Sequence, residues 1–200
     1  GFKGTFSHPA RGNIRTISLS LNGEPWFIQY SPYAYFNEHM IAISENHSPM
    51  KVDESTINKI LDFVDQIPVY MIGSNASLPL IGGSILNHEH YQGGRHLMPM
   101  HRAGIKESYQ VGKVKVSIVD WYNSAIRLES NDRNEISAFA KKIVCAWKDY
   151  SDEENFIFAQ TDGVPHNSCS PIARKDGENY ILVVIGADTA GTGVDYFTAK

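Results

Sequence analysis

The sequence predicts an α+β fold in which an antiparallel sheet is packed by helices and the chain divides into two related half units. Three observations carry that reading. Apolar side chains alternate with period two in several short runs, and two longer runs repeat them at helical spacing. Strands, helix, strand, glycine-bearing loop and histidine then follow one another in that order twice. With 42% hydrophobic and 11% aromatic residues, a chain of 200 residues can bury a substantial core.

The first two strands are NIRTISLSL and EPWFIQY, which flank Asn22-Gly23. That dipeptide suits a type I′ hairpin because both central residues of the turn need positive φ. A third strand is expected over His39–Ser44. Pro49 follows, then a helix marked by Ile57, Ile60, Leu61 and Val64, which Ser55 or Asp53 can cap and Pro68 ends. VYMI forms the next strand and leads into a loop rich in Gly, Ser, Asn and Pro that delivers PLIGGSILNHEHYQGGRH.

From about Val111 the order repeats. KVKVSIVDW and SAIRLES read as strands, and Ile136, Phe139, Ala140, Ile143, Val144 and Trp147 mark one face of a helix. A strand is expected at NFIFA, a loop at QTDGVPHNS, and two further strands at CSPIAR and NYILVVI around the turn signal Asp176-Gly177. No residue-level repeat accompanies the echo. The halves are placed at residues 1–105, carrying the histidine motif, and 106–200, a degenerate second unit, with HRAGIKESYQVG as the join.

Eighteen basic against 22 acidic residues give a net charge of -4, and no run of like charge marks a nucleic-acid or membrane surface. An anionic ligand must therefore be held locally. The sequence has neither an apolar run long enough to span a bilayer nor a signal-peptide pattern, and Cys145 and Cys169 form no CxxC pair. A reducing cytoplasm is the expected compartment. The chain opens on GFKGTF without an initiator methionine, which suggests a piece of something longer.

In an extended segment alternate side chains share a face, so His88, His90 and Gln92 are expected to project together into a glycine-lined cleft, with Glu89 and Tyr91 turned the other way. Gly82-Gly83 and Gly93-Gly94 permit close approach of a ligand, and backbone N–H groups in such loops cradle phosphate. An imidazole beside an anion held by amides is an arrangement for nucleophilic attack at phosphorus, provided a hydrogen bond to the other ring nitrogen fixes the tautomer. Two other readings stand beside it. Histidines at alternate positions occur in ordinary sheets as structural residues, and neutral imidazole is the commonest metal ligand, with His39, His47, His88, His90, His96 and His101 in one half. Against a structural zinc site, that half has no cysteine and no H-E-x-x-H on a helix. Glu89 reads as a solvated carboxylate.

GGSILNHEHYQGG, preceded by YSPYAYFNEHMIAIS and GSNASLPLIGG and followed by VDWYNSAIRL and TDGVPHNSCSPIAR, resembles the class II UDP-glucose:hexose-1-phosphate uridylyltransferases. These are the galactose-1-phosphate uridylyltransferases typical of Gram-positive bacteria. The H-x-H-x-Q core is shared with the wider histidine-triad superfamily, whose hydrolases usually carry a third histidine where this chain has Gln92. The resemblance runs over almost the whole chain. It implies a histidine-triad-like fold and the exchange of UMP between UDP-glucose and galactose 1-phosphate, in galactose metabolism. His90 is then the nucleophile that attacks the α-phosphorus of a UDP-hexose, giving a uridylyl-histidine and releasing hexose 1-phosphate. Gln92 donates its amide to a phosphoryl oxygen, and His88 orients the loop or, as in some class I relatives, holds a metal.

The same resemblance makes Gly83 and Ser84 candidates for phosphate contacts, Asn75 a candidate on the nucleotide-contacting loop, and Arg174, with His166 and Asn167, candidates from the second half. UDP-hexose and hexose 1-phosphate are the expected partners, with no nucleic acid and no membrane, and a homodimer is the assembly the family suggests. No cofactor is required and no metal ligand is assigned. Glu89 stands where class I enzymes carry a proline, and their cysteine pair is absent, which fits class II and leaves the metal open. Class II enzymes are much longer, so the chain is expected to correspond to their central part. Two alternatives stay open: a nucleotide hydrolase of the same superfamily, and a nucleotide-binding fragment without turnover.

Overall fold

A computed structural model describes residues 14–83 and 85–189. In chain order come β1 (Thr16–Leu21), β2 (Glu24–Tyr30), β3 (Met40–Ser44), helix α1 (Glu54–Gln66), β4 (Met71–Ser74) and β5 (His90–Gly94). Then follow β6 (Ile105–Val111), β7 (Val114–Val119), β8 (Ala125–Ser130), helix α2 (Arg133–Lys148), the two-residue strands β9 (Gln160–Thr161) and β10 (Val164–Pro165), and the hairpin β11 (Asn167–Asp176) and β12 (Asn179–Asp188). All but β9 and β10 form one 10-stranded sheet in the order β1-β2-β3-β5-β4-β11-β12-β8-β7-β6. Its pairings are antiparallel throughout. β4 meets β11 in the middle of the sheet, where Gly73 pairs with Ile172 and Ile72 with Ala173.

Local chemistry accounts for the principal elements. Asn22 and Gly23 adopt φ of 52° and 74°, the left-handed pair that the β1–β2 hairpin requires. Asp53, not Ser55, caps α1: its carboxylate accepts from the Ser55 and Thr56 amides, and Thr56 returns a bond to the Asp53 backbone. Ile57, Ile60, Leu61 and Val64 of α1 are fully buried, as are Ile136, Ala140 and Val144 of α2, which Asp132 caps. Both helices cover one face of the sheet, α1 against β1, β4 and β11 and α2 against β7, β8, β11 and β12. Between helices and sheet lies the main core, with Trp26 and Tyr91 stacked at a ring separation of 4.9 Å. The opposite face carries a smaller cluster of Met71, Val119, Ala125, Ile172 and Val183, which Met100 of the short turn Pro99–Arg102 covers.

Four elements differ from the sequence reading. Pro68 to Tyr70 turn rather than extend, so the VYMI strand begins at Met71 and runs to Ser74. NFIFA forms no strand, because Glu153–Asn155 makes a short helical turn capped by Asp152 and Phe156 takes a positive φ of 59°. QTDGVPHNS is not wholly a loop, since β9 and β10 pair around Asp162-Gly163. The supposed join contains the edge strand β6, which lies mostly in solvent on both faces. A strand that buries neither face imposes no alternation on its sequence, so this one left no period to read. Among the described residues no helix is long and apolar enough to cross a membrane.

Candidate active site

β5 lies between β3 and β4, with His90 opposite Ile43 and Gln92 opposite Ile41 on one side and Gly73 on the other. His88 sits in the bend just before the strand. Alternation turns His90 and Gln92 to the face away from the helices, and with His88 they line one open cleft of about 560 Å³. Ile41 and Ile43 line the same cleft, together with Gln29, Pro32, Ile85, Tyr33 and Tyr35. The two tyrosine rings stack at 5.6 Å and are exposed.

The cleft is therefore aromatic and aliphatic, not glycine-lined. Gly83, Gly93 and Gly94 serve the chain's own packing instead, and Gly82 takes a positive φ of 91°. A Cβ on Gly93 would stand 2.4 Å from the Met71 carbonyl oxygen, and one on Gly83 would stand 2.2 Å from that of Leu78. Gly83 thus closes its own loop.

The hydrogen bonds around His90 have directions that one donor settles. The Tyr35 backbone N–H can only donate, and it lies 3.3 Å from His39 Nδ1, which accepts. His39 then carries its proton on Nε2 and donates to Gln92 Oε1 at 3.0 Å. Gln92 Nε2 donates to Asn75 Oδ1 at 3.3 Å, and Asn75 Nδ2 donates to His90 Nε2 at 3.3 Å. At the far end His90 Nδ1 donates to the His88 carbonyl oxygen at 2.9 Å. The neutral His90 ring so placed keeps its proton on Nδ1 and a lone pair on Nε2. His88 is held separately. Its Nε2 donates to the Ser44 carbonyl at 2.8 Å, leaving Nδ1 to accept from His47 Nδ1 at 3.0 Å.

Glu89 is a correction to the sequence reading. It is 1% exposed, not solvated, and its carboxylate meets the fully buried Lys59 ammonium of α1. Tyr91 donates its hydroxyl to Glu89 Oε1 at 2.8 Å. Burial and the neighbouring carboxylate push the Tyr91 phenol well above its ordinary range, which keeps that donor protonated.

Of the other candidates, Asn75 is brought to His90 and Gln92 by the loop after β4. Ser84 lies outside the described residues. Arg174 is not brought to this cleft: it lines a separate one with Tyr70, Met71, Arg95 and His96, because β11 is two strands from β5 and its register sets Arg174 level with Met71 at the start of β4. His166 is bracketed by the hydroxyls of Thr161 and Thr189, and Asn167 ties the end of α2 by donating to the Trp147 and Tyr150 carbonyls. Among the described residues no group of three or more His, Cys, Asp or Glu side chains is placed to hold a metal ion. Sequence reasoning missed His39 as a member of the site. Its signal was the run His39, Ile41, Ile43, whose common parity turns the residue just before β3 to the same side as Ile41 and Ile43.

A large antiparallel sheet backed by two helices, with H-x-H-x-Q at the start of an inner strand, is an α+β architecture compatible with the histidine-triad-like fold. A solved DUF4931 family protein from Bacillus cereus shares the fold, with a TM-score of 0.57 and 14% identity over 93% of this chain and 94% of that one. In sequence the chain is 48% identical over 188 residues to a galactose-1-phosphate uridylyltransferase of Fusobacterium nucleatum, covering 92% of this chain and 37% of the relative. It is 48% identical over 194 residues to that of Caldanaerobacter subterraneus and 49% identical over 189 residues to that of Streptococcus salivarius. The chain is thus homologous to a segment of galactose-1-phosphate uridylyltransferases, and it spans 37% to 38% of the length of these three. No protein-family model matches it.

Proposed function

We propose that this chain carries the uridylyl-transfer site of a galactose-1-phosphate uridylyltransferase, acting on UDP-glucose and galactose 1-phosphate in the cytoplasm. The observation that carries the reading is the His90 ring at the cleft, whose Nδ1–H donation to the His88 carbonyl puts the lone pair on Nε2, where it accepts from the Asn75 amide that an incoming phosphoryl group displaces. Ile41, Ile43 and the tyrosine pair offer a flat apolar surface to a pyrimidine base beside it. The α-phosphorus of UDP-glucose then comes to Nε2. The N–P bond forms as the bridging P–O bond breaks, and glucose 1-phosphate leaves with the bonding electrons. Nδ1–H stays on the His88 carbonyl, which stabilises the charge the ring acquires. A phosphate oxygen of galactose 1-phosphate reverses the step and restores the neutral ring. No proton is transferred overall.

Gln92 favours transfer over hydrolysis. An amide donates to a phosphoryl oxygen but does not accept a proton from water, and a sugar phosphate leaves without a general acid. The test is intact-mass spectrometry after incubation with UDP-glucose. A gain of one uridylyl group in the wild type, absent in His90→Ala, is the expected result. No gain in the wild type would favour a nucleotide-binding role without turnover, and a gain that survives His90→Ala would remove His90 as nucleophile.

A further inference from the structure

We infer that His39 is a positioning residue that fixes which way the Gln92 amide faces, and thereby keeps the donating end of that amide at the phosphoryl group; the inference rests on the uridylyl-transfer reading above. A glutamine amide is nearly symmetric in shape, so packing alone does not choose between its oxygen and its nitrogen. The choice is made by His39. Its ring is buried, stacked on Tyr35 at 5.2 Å with the Phe36 ring tilted against it at 4.5 Å, and its Nδ1 takes the Tyr35 backbone N–H. Only Nε2 is left to face Gln92, and as a donor it demands Oε1 there. The Gln92 NH2 is thereby turned towards Asn75 and the His90 side of the cleft. If the amide flipped, its oxygen would meet the anionic phosphoryl group and repel it. The backbone amide at Tyr35 is thus read out, through one neutral imidazole, as the polarity of a side chain on the next strand.

The experiment is a single-turnover measurement of uridylyl transfer to the enzyme in wild type, His39→Phe, Gln92→Ala and the double variant, with His39→Gln as the conservative control. Phenylalanine keeps the aromatic stack and removes the donor, whereas glutamine keeps a donor. His39→Phe should slow transfer by roughly 10- to 100-fold, the scale of losing a supporting hydrogen bond to a reacting group, with a smaller change in UDP-glucose affinity. In the Gln92→Ala background the same change should have almost no further effect, because the group it orients is gone. His39→Gln should recover part of the rate. Equal slowing in both backgrounds, or no slowing in the wild type, would overturn the inference. The Gln92 side-chain amide resonances report the orientation in ligand-free protein, where His39→Phe should average them and His39→Gln should not. Unchanged resonances in His39→Phe overturn the orienting role even if wild type forms no adduct, so its failure and that of the transfer reading are told apart.

Discussion

The Lys59 ammonium stands 3.0 Å from both carboxylate oxygens of Glu89, the residue between the two histidines of the cleft. Both side chains are buried, and the same ammonium reaches Glu24 at 3.0 Å. The pair fastens the bend that carries His88 and His90 to helix α1 from the side opposite the cleft. Removing Glu89 leaves the desolvated ammonium with the partly exposed Glu24 as its one counter-charge among the described residues. Glu89→Ala should therefore cost up to roughly 3 kcal/mol in urea unfolding, below the full loss for an unpaired buried charge because Glu24 still meets the ammonium, while the combined Lys59→Met, Glu89→Gln exchange should recover most of it. A double variant as unstable as Glu89→Ala alone would show that packing around the pair, not charge, sets the loss.

Gln92→Ala should slow formation of the uridylyl-enzyme by roughly 10²- to 10³-fold, the cost of losing one placed oxyanion donor. Gln92→His should raise the share of UMP over UDP-hexose among the products, since a ring at that position can accept a proton from water. Product ratios by chromatography and the half-life of the adduct check both. An unchanged rate in Gln92→Ala would leave the amide without a role in the step.

His101 predicts an acid-side loss of stability. It sits in the Pro99–Arg102 turn, is 7% exposed, and its two ring nitrogens have no hydrogen-bond partner among the described residues. Burial, with the Arg174 and Arg127 guanidiniums nearby, lowers its imidazole to about 4. The unfolded chain takes up that proton near the ordinary histidine value of about 6.5, so between these values the unfolded state binds more protons. This contribution to stability is full above about pH 6.5 and declines as pH falls towards 4, by on the order of 3 kcal/mol in all. Denaturant titrations at several pH values check the slope, and His101→Leu should flatten it. A wild-type stability that stays level from pH 7 to 4 would contradict the burial of a neutral ring.

Gly83→Ala separates a packing role from a ligand contact. The added methyl would meet the Leu78 and Ala76 carbonyl oxygens at 2.2 and 2.9 Å, so the loop must open. A melting-temperature loss equivalent to about 1–3 kcal/mol is expected in ligand-free protein. A variant with wild-type stability but weakened UDP-glucose binding would return Gly83 to the ligand side.

What the sequence by itself determined is what nearest neighbours along the chain decide. Asn22-Gly23 admits positive φ at both positions, Asp53 or Ser55 offers a short acceptor to the first amides of the helix, and Ile57, Ile60, Leu61 and Val64 repeat at the helical period. The shared face of His90 and Gln92 belongs here too, because alternation is a property of the extended backbone itself. Tertiary structure decided the rest. The direction of Glu89 was legible as away from His90, but not that Lys59, thirty residues earlier, would meet it in the core. Likewise His39 was visible as a histidine at a strand entrance, while its bond to Gln92 depends on which strand lies beside which and in what register. Arg174 missed the cleft for the same reason, since the β4–β11 pairing places it. Backbone period is written locally, whereas strand order and register come from the combined burial of both faces, to which every distant element contributes.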